Sequence, residues 1–405
     1  MDKLQGALII GQSGGPSAVI NSSAYGVIKT ALESEDITEV YGAHYGITGV
    51  LNDDLIPMSN KDKKELERMM YTPSSILGSC RYKMKDPDED ETDYKKILEI
   101  FKKYNVRYFC YNGGNDSMDT CNKISKYMKK SGYECRIMGV PKTIDNDLYG
   151  TDHCPGYAST AKYIATSIME VARDASVYKA GAVTIMECMG RHAGWLTAAA
   201  ALANHHEHCC DFIYLPESVF DMDKFVEDVK KRFNERGNCF VAVSEGIHYA
   251  DGTFVADAHT AKLDAFGHKQ LGGLAEQLAS VIKERTGLKV RGIEPSLLQR
   301  SAAHVASKTD IDEAYMAGKV AVESMLNGET DKMVGFECKR EGGYICEAKL
   351  FDLDKVANFE KKFPVEWIND EGNDIKKEYI DYALPLIKGE TALEWEDGLP
   401  RFAKL

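Results

Sequence analysis

Short apolar runs recur along the chain, and helical periodicity fills most gaps between them. Gly6-Ala7-Leu8-Ile9-Ile10 has the pattern of a buried strand and runs into a glycine-rich turn, Gly11-Gln12-Ser13-Gly14-Gly15-Pro16-Ser17. Val19, Ala24, Val27, Ile28 and Ala31 then fall on one face of a helix. Val106 to Tyr111 is a second strand, leading into Gly113-Gly114 and a helical pattern from Ser117 to Lys130. Ile137-Met138-Gly139-Val140 is a third, followed at once by Pro141-Lys142-Thr143-Ile144-Asp145-Asn146-Asp147. Further strands are predicted at Ala182 to Glu187, Phe212 to Leu215 and Phe240 to Ser244, and helices at Ser159 to Ala175, Asp223 to Glu235 and Leu274 to Thr286. This alternation predicts an α/β protein with mainly parallel sheets and helices on both faces.

At 405 residues the chain can form two domains or one large α/β body. The net charge of −13 speaks against nucleic acid or an anionic membrane as partner, because both select a basic surface. A phosphorylated small molecule stays open, since a few Arg and Lys make a local positive pocket. No apolar run approaches the ~18 residues of a membrane span, and no basic-then-apolar start suggests a signal peptide. Eleven scattered Cys without a C-x-x-C pair read as reduced thiols of a cytoplasmic protein. Asp86-Pro87-Asp88-Glu89-Asp90-Glu91 reads as a solvated acidic turn. His205-His206-Glu207-His208-Cys209-Cys210 holds metal-ligand types but lacks paired spacing, so it reads as the polar end of a helix before a strand.

The chemistry concentrates where predicted strands end. Gly113-Gly114-Asn115-Asp116-Ser117 offers a glycine pair, an acid and a hydroxyl; Thr143 to Asp147 offers a Thr and two acids. Ligands of open α/β sheets collect at such ends. Glycines admit a phosphate close to the backbone, and carboxylates hold Mg²⁺ or take a proton from a sugar hydroxyl. Together they point to phosphoryl transfer to an alcohol. Singly, each is ordinary: glycine pairs recur in strand–helix turns, Asp-Asn-Asp is common turn composition, and lone arginines usually sit in ion pairs.

Their joint order changes that weighing. Ser13-Gly14-Gly15-Pro16, Gly78-Ser79-Cys80-Arg81, Gly113 to Ser117, Thr143 to Asp147, Met189-Gly190-Arg191 and Gln299-Arg300 follow the order and approximate spacing of the 6-phosphofructokinases, and the chain resembles that family from about Gly6 to Ala314. The resemblance implies two similar Rossmann-like, three-layer α/β domains facing a cleft. A donor domain would take 1–156 plus about 299–357, and a sugar-phosphate domain about 157–298 plus 358–405. It implies Asp145 as the base on the C1 hydroxyl of fructose 6-phosphate, with Thr143 and Asp147 orienting the sugar and stabilising the phosphoryl group. Met189, Gly190, Arg191 and Glu245 would hold the sugar, and Arg291 and Arg300 its 6-phosphate. Gly14, Gly15, Arg81, Gly114, Asn115, Asp116, Ser117 and Lys142 would line the donor site. Mg²⁺ is the implied cofactor. Asn115 stands where many relatives have Asp, so the metal is expected to lean on Asp116 or Asp147 beside Asn115. The implied state is a cytoplasmic homodimer or homotetramer.

Two positions bear on the donor. ATP-using bacterial relatives have Gly where this chain has Asp116 and Lys142, whereas pyrophosphate-using relatives have Asp and Lys. An Asp at 116 would add bulk and like charge where an ATP α-phosphate must lie, at a cost of several kcal/mol. Some relatives keep the Lys and use ATP but retain Gly at the other position, so Asp116 carries more weight. The expectation is reversible, Mg-dependent transfer from pyrophosphate to fructose 6-phosphate in glycolysis or gluconeogenesis. ATP as donor, sedoheptulose 7-phosphate as acceptor, and a non-catalytic regulatory subunit stay open as alternatives. Two departures from the family pattern stand out. The arginine that tetrameric relatives lend across a subunit interface falls on Ala182, with Lys179 nearby. The effector positions of allosteric relatives read Tyr25, Lys29 and Asp54, which predicts little response to ADP or phosphoenolpyruvate.

Overall fold

A computed structural model describes residues 4–258, 273–357 and 359–405. The strands of its two main sheets in chain order are β1 (Gly6–Gln12), β2 (Ile37–Ala43), β3 (Leu55–Pro57), β4 (Val106–Gly113), β5 (Arg136–Pro141), β6 (Val183–Cys188), β7 (Phe212–Tyr214), β8 (Cys239–Ser244), β9 (Val290–Ile293), β10 (Lys332–Lys339) and β11 (Ile345–Asp352). The longer helices are α1 (Ile20–Leu32), α2 (Thr92–Lys103), α3 (Asn115–Lys130), α4 (Tyr157–Ser176), α5 (Met222–Arg236), α6 (Leu274–Thr286) and α7 (Lys308–Leu326). The chain divides into two compact units. The first is Met1–Ser159, Arg300–Lys361 and Gly389–Leu405; the second is Thr160–Gln299 and Lys362–Lys388.

The first unit is built on a seven-stranded sheet in the order β11-β10-β5-β4-β1-β2-β3. Its middle is parallel, and only the edge pairs β10–β11 and β2–β3 are antiparallel. β1 has β2 on one side and β4 on the other, so the winding reverses between β1 and β4. The turns after these two strands therefore open at a topological switch point, where ligands of such sheets bind. α1 is buried nearly all round and crosses α7 closely at two glycines. A β-carbon on Gly26 would lie 2.2 Å from Tyr315 O, and one on Gly318 would lie 2.0 Å from Ser23 O. α2 is an outer helix, burying Tyr94, Ile97 and Phe101 and turning its lysines to solvent.

The second unit carries a four-stranded parallel sheet, β7-β8-β6-β9. Val183, Ile185, Val241 and Val243 form its core with Phe225 of α5 and Leu278 of α6. The aromatic cluster of Trp195, Phe363, Trp367, Tyr379 and Tyr382 ties residues 362–388 into this unit.

The expectation put 358–405 wholly in the second domain. The structure returns Gly389–Leu405 to the first. The Lys404 amide donates to Glu65 Oε2 at 2.7 Å, the Ala403 amide to Thr72 Oγ1 at 2.9 Å, and Ala403 and Leu405 pack on the core that holds α1. Residues 205–211 form no longer helix but a loop. It is closed by Asn204, whose Oδ1 accepts from Cys209 and Cys210, and by a His208–Asp211 pair at 2.8 Å. Among the described residues, no helix is long and apolar enough to cross a membrane.

Candidate active site

In the first unit, three turns meet around Gly15. The first follows β1, where Gly14 adopts a left-handed φ of 76° that favours glycine and donates its N–H to Cys80 O at 3.1 Å. The second is Gly78-Ser79-Cys80-Arg81, pinned by the Ser79 hydroxyl on Gly14 O at 2.6 Å. The third follows β5, where the Lys142 amide donates to Gly113 O and its Nζ donates to Gly15 O at 2.5 Å. A β-carbon on Gly15 would stand 2.9 Å from Arg300 Nη1 and 3.9 Å from Arg81 Nη2. One ammonium and two guanidiniums thus converge on Gly15. Burial, reinforced by Arg300 and Arg81 and opposed by Asp145 and Asp147, brings the Lys142 ammonium down to about 8. Burial together with Arg81 also lowers the Arg300 guanidinium. Cations held this close together are suited to a small polyanion.

The Gly113-Gly114 pair ends β4 and opens α3. A β-carbon on Gly113 would lie 2.0 Å from Ser117 Oγ, so this glycine lets the helix start tight against the strand. Asn115, Asp116 and Ser117 form the first turn, with Ser117 buried and Asp116 exposed. Asn115 Nδ2 donates to Asp147 Oδ2 at 3.1 Å. The remaining oxygens of the pair, Asn115 Oδ1 and Asp147 Oδ1, are buried with no hydrogen-bond partner among the described residues. Burial raises the Asp147 carboxyl, opposed by the Thr143 hydroxyl. Two orphaned hard oxygens on one hydrogen-bonded pair fit a Mg²⁺ ion, which takes oxygen ligands and would repay their desolvation.

The loop carrying Asp145 is held from three sides. The Asp145 amide donates to Thr143 Oγ1 at 3.1 Å, and Thr143 bridges to Gly156. Asn146 has a left-handed φ of 56°, which Asn tolerates, and its Oδ1 accepts from the Cys154 amide at 2.9 Å. Lys361 is half-buried, with its Nζ on Asp152 O at 2.8 Å and Thr151 O at 3.3 Å, while its amide reaches Asp147 O. Asp310 of α7 accepts from the Gly156 and Ser159 amides, each at 2.9 Å.

In the second unit, β6 and β8 are parallel neighbours with Cys188 opposite Ser244, so their following turns emerge side by side. The Gly190 amide donates to Glu245 Oε1 at 3.3 Å, and the Ser244 hydroxyl to Gly190 O at 2.7 Å. Gly190 has φ 118°, and a β-carbon on Gly246 would strike Arg191 O at 1.9 Å. The Met189 amide donates to Gln299 Oε1 at 3.2 Å. Arg191 Nε is buried with no acceptor among the described residues, on a hollow of about 320 Å³ that His248, Glu217 and Lys362 also line. Burial raises the Glu245 carboxyl, opposed by Arg191 and the Gly190 amide. A buried guanidinium Nε with no acceptor among the described residues, near a carboxylate, is suited to a polyhydroxyl anion.

The structure therefore groups Gly14, Gly15, Arg81, Lys142 and Arg300, and places Gly114, Asn115, Ser117, Thr143, Asp145 and Asp147 on the turns around them. It groups Met189, Gly190, Arg191 and Glu245 separately. Arg291 and Arg300, expected together, are in different units. Arg291 pairs in register with Thr184, four residues before Cys188, so it lies roughly 13 Å along the sheet from the end of β6, where the Gly190 turn begins. Its guanidinium is exposed, 3.6 Å from Asp174. Ala182 is buried and Lys179 exposed. Three residues that shape these turns carry no motif: Lys361, Asp310 and Glu217. Glu217 holds the turn after Arg191 by accepting from the Gly194 and Phe363 amides. Their signal is burial of a charge, which appears only after folding.

The chain is similar to known proteins over nearly its whole length. The phosphofructokinase family model matches residues 7–325. A pyrophosphate–fructose 6-phosphate 1-phosphotransferase of Halomonas elongata is 44% identical over 398 residues, covering 97% of this chain and 94% of the relative. The solved pyrophosphate-dependent phosphofructokinase of Marinobacter aquaeolei is 39% identical, with a TM-score of 0.88 over 99% of this chain and 96% of that one. The enzyme of the same description from Nitrosospira multiformis gives 38% and 0.90, over 98% and 95%.

Proposed function

This chain belongs to the phosphofructokinase family, and we propose that it transfers a phosphoryl group reversibly from pyrophosphate to the C1 hydroxyl of fructose 6-phosphate, giving fructose 1,6-bisphosphate and phosphate. The observation that carries the donor is the buried Lys142 ammonium on Gly15 O, crowded by Arg300 and Arg81. Three cations around one glycine match a compact, highly charged donor. Asp116, exposed at the start of α3, adds negative charge that disfavours a longer nucleotide chain.

In this reading Lys142, Arg81, Arg300 and the amides of Gly15 and Gly114 bind the donor phosphates and take up charge as the bond breaks, while the Gly14 amide holds the turn through Cys80 O. Asp145 takes the proton from the C1 hydroxyl. Thr143, by accepting from the Asp145 amide, fixes that carboxylate's backbone. Met189, Gly190, Arg191 and Glu245 bind and orient the sugar phosphate. Asn115 and Asp147, with Asp116 beside them, would hold Mg²⁺, which supplies positive charge to the phosphates. The cell would use it in the cytoplasm, as a homodimer or homotetramer, in glycolysis or gluconeogenesis.

The test follows the phosphorus. With fructose 6-phosphate, Mg²⁺ and pyrophosphate, ³¹P NMR should show the pyrophosphate signal replaced by equal amounts of orthophosphate and a new phosphate ester. Asp145→Asn should slow this by about 10²- to 10⁴-fold. An ester formed at native rate by Asp145→Asn would remove Asp145 as the base. Orthophosphate without ester would mean hydrolysis in place of transfer.

A further inference from the structure

We propose that Cys338 and Cys346 form a reversible dithiol oxidation site, with a hydroperoxide as oxidant, Cys338 as the attacking sulfur and Cys346 as the resolving one. The two cysteines face each other in the antiparallel register of β10 and β11. Opposed β-carbons in such a pair lie about 4.5–5.5 Å apart, and a disulfide needs about 3.5–4.5 Å. The hairpin must therefore close by only about an ångström. Both cysteines are half-buried, whereas seven others, Cys110 and Cys239 among them, are buried. An open hollow of about 600 Å³, lined in part by Asp152, Phe336, Cys338 and Ile345, gives a small oxidant access.

The surroundings activate one sulfur of the pair. His153 is buried between two carboxylates, its Nδ1 3.0 Å from Asp152 Oδ1 and its Nε2 2.6 Å from Glu313 Oε2. With both ring nitrogens donating, the ring is an imidazolium. Cys338 Sγ lies 3.8 Å from His153 Nδ1 and 3.6 Å from the Tyr344 oxygen, whose hydrogen is donated to Glu313 at 2.7 Å. Hydrogen bonding from the Cys346 thiol, then from His153, outweighs burial and holds the Cys338 thiol well below the usual thiol range. The thiolate is the nucleophile in such chemistry. These residues include metal-ligand types, yet two acids, Asp152 and Glu313, already face two cations, His153 and Arg340. Both acids and both imidazole nitrogens are already engaged, which favours sulfur chemistry over a metal.

The reaction balances as follows. The Cys338 thiolate attacks one peroxide oxygen, the O–O bond breaks, and the leaving hydroxide is protonated to water. Cys338 is now a sulfenic acid, oxidised by two electrons as the peroxide is reduced. The Cys346 sulfur then attacks Cys338, the S–S bond forms, the S–O bond breaks, and a second water leaves. A dithiol reductant reverses the product.

The experiment treats the reduced full chain with one equivalent of hydrogen peroxide, blocks remaining thiols with iodoacetamide and maps peptides without reduction. The expected product joins the peptides of Cys338 and Cys346, forms at least about tenfold faster than any other pairing, and disappears with dithiothreitol. In Cys346→Ser, dimedone should trap a sulfenic acid at Cys338. In Cys338→Ser, Cys346 should stay reduced. Cys80 and Cys135, also half-buried, are internal standards. Oxidation of Cys338 no faster than theirs, or disulfides spread over several cysteines, would overturn the proposal.

Discussion

Lys142 is buried with its Nζ on Gly15 O at 2.5 Å, and burial brings its ammonium down to about 8. In the unfolded chain a Lys titrates near 10.4. Between these values the unfolded chain holds a proton the native one has shed, so this group makes stability rise with pH there. An alkaline loss of activity above pH 8 is then a loss of donor binding and not of fold. The kcat/KM for pyrophosphate should fall about tenfold per pH unit above roughly 8 while the circular dichroism stays native. Lys142→Met should lower kcat/KM at pH 7 by about thirtyfold or more and abolish that limb. A Lys142→Met enzyme with the native alkaline limb would assign the limb to another group. Asn115 and Asp147 set a second residue-scale expectation. Asn115→Asp supplies a second carboxylate beside the orphaned Asp147 oxygen. It should lower the half-saturating Mg²⁺ concentration on the order of tenfold (~1.4 kcal/mol) and lower the melting temperature in EDTA. No change in the Mg²⁺ requirement would take the metal off this pair.

Elements with one clear period were legible in the sequence. β1, β4 and β5 are apolar runs buried on both faces, and α6 spans the predicted Leu274 to Thr286. The β10–β11 hairpin was not legible. It sits at the sheet edge, where β11 alternates exposed Ile345, Glu347 and Lys349 with half-buried positions, so no apolar run marks it. The opposition of Cys338 and Cys346 depends on that hairpin's register and was hidden with it. α7 was missed because its buried face is made largely of Ala and Gly, small residues that let it approach α1. That close approach can be measured. Gly318→Ala would push a methyl against Ser23 O and should cost about 1–3 kcal/mol, read as a lower urea midpoint. A native midpoint would mean the two helices part without loss.

At the scale of the whole chain, motif order was readable and long-range support was not. The turns carrying Gly15, Asp145 and Arg191 follow strands whose patterns announce them. Lys361 and Asp310 brace the Asp145 loop from more than a hundred residues away, through backbone atoms that no spacing encodes. Arg291 and Arg300, nine residues apart in sequence, fall on either side of the division of the chain into units, which spacing does not announce. The positions read as effector sites are also in use. Tyr25 packs on Tyr315 with ring centroids 5.7 Å apart, Lys29 stands over the same ring, and Asp54 pairs with His44 at 2.9 Å. Neither ADP nor phosphoenolpyruvate should change the half-saturating fructose 6-phosphate concentration in initial-rate assays. A clear shift with either would place an anion site there after all.

The most direct measurement compares kcat/KM for pyrophosphate and for ATP, with fructose 6-phosphate and Mg²⁺, in the native chain and in Asp116→Gly. The native chain should prefer pyrophosphate by about two orders of magnitude or more, and Asp116→Gly should narrow that gap by admitting ATP. A native preference for ATP would contradict the reading of Lys142 and Asp116 while leaving family and fold untouched.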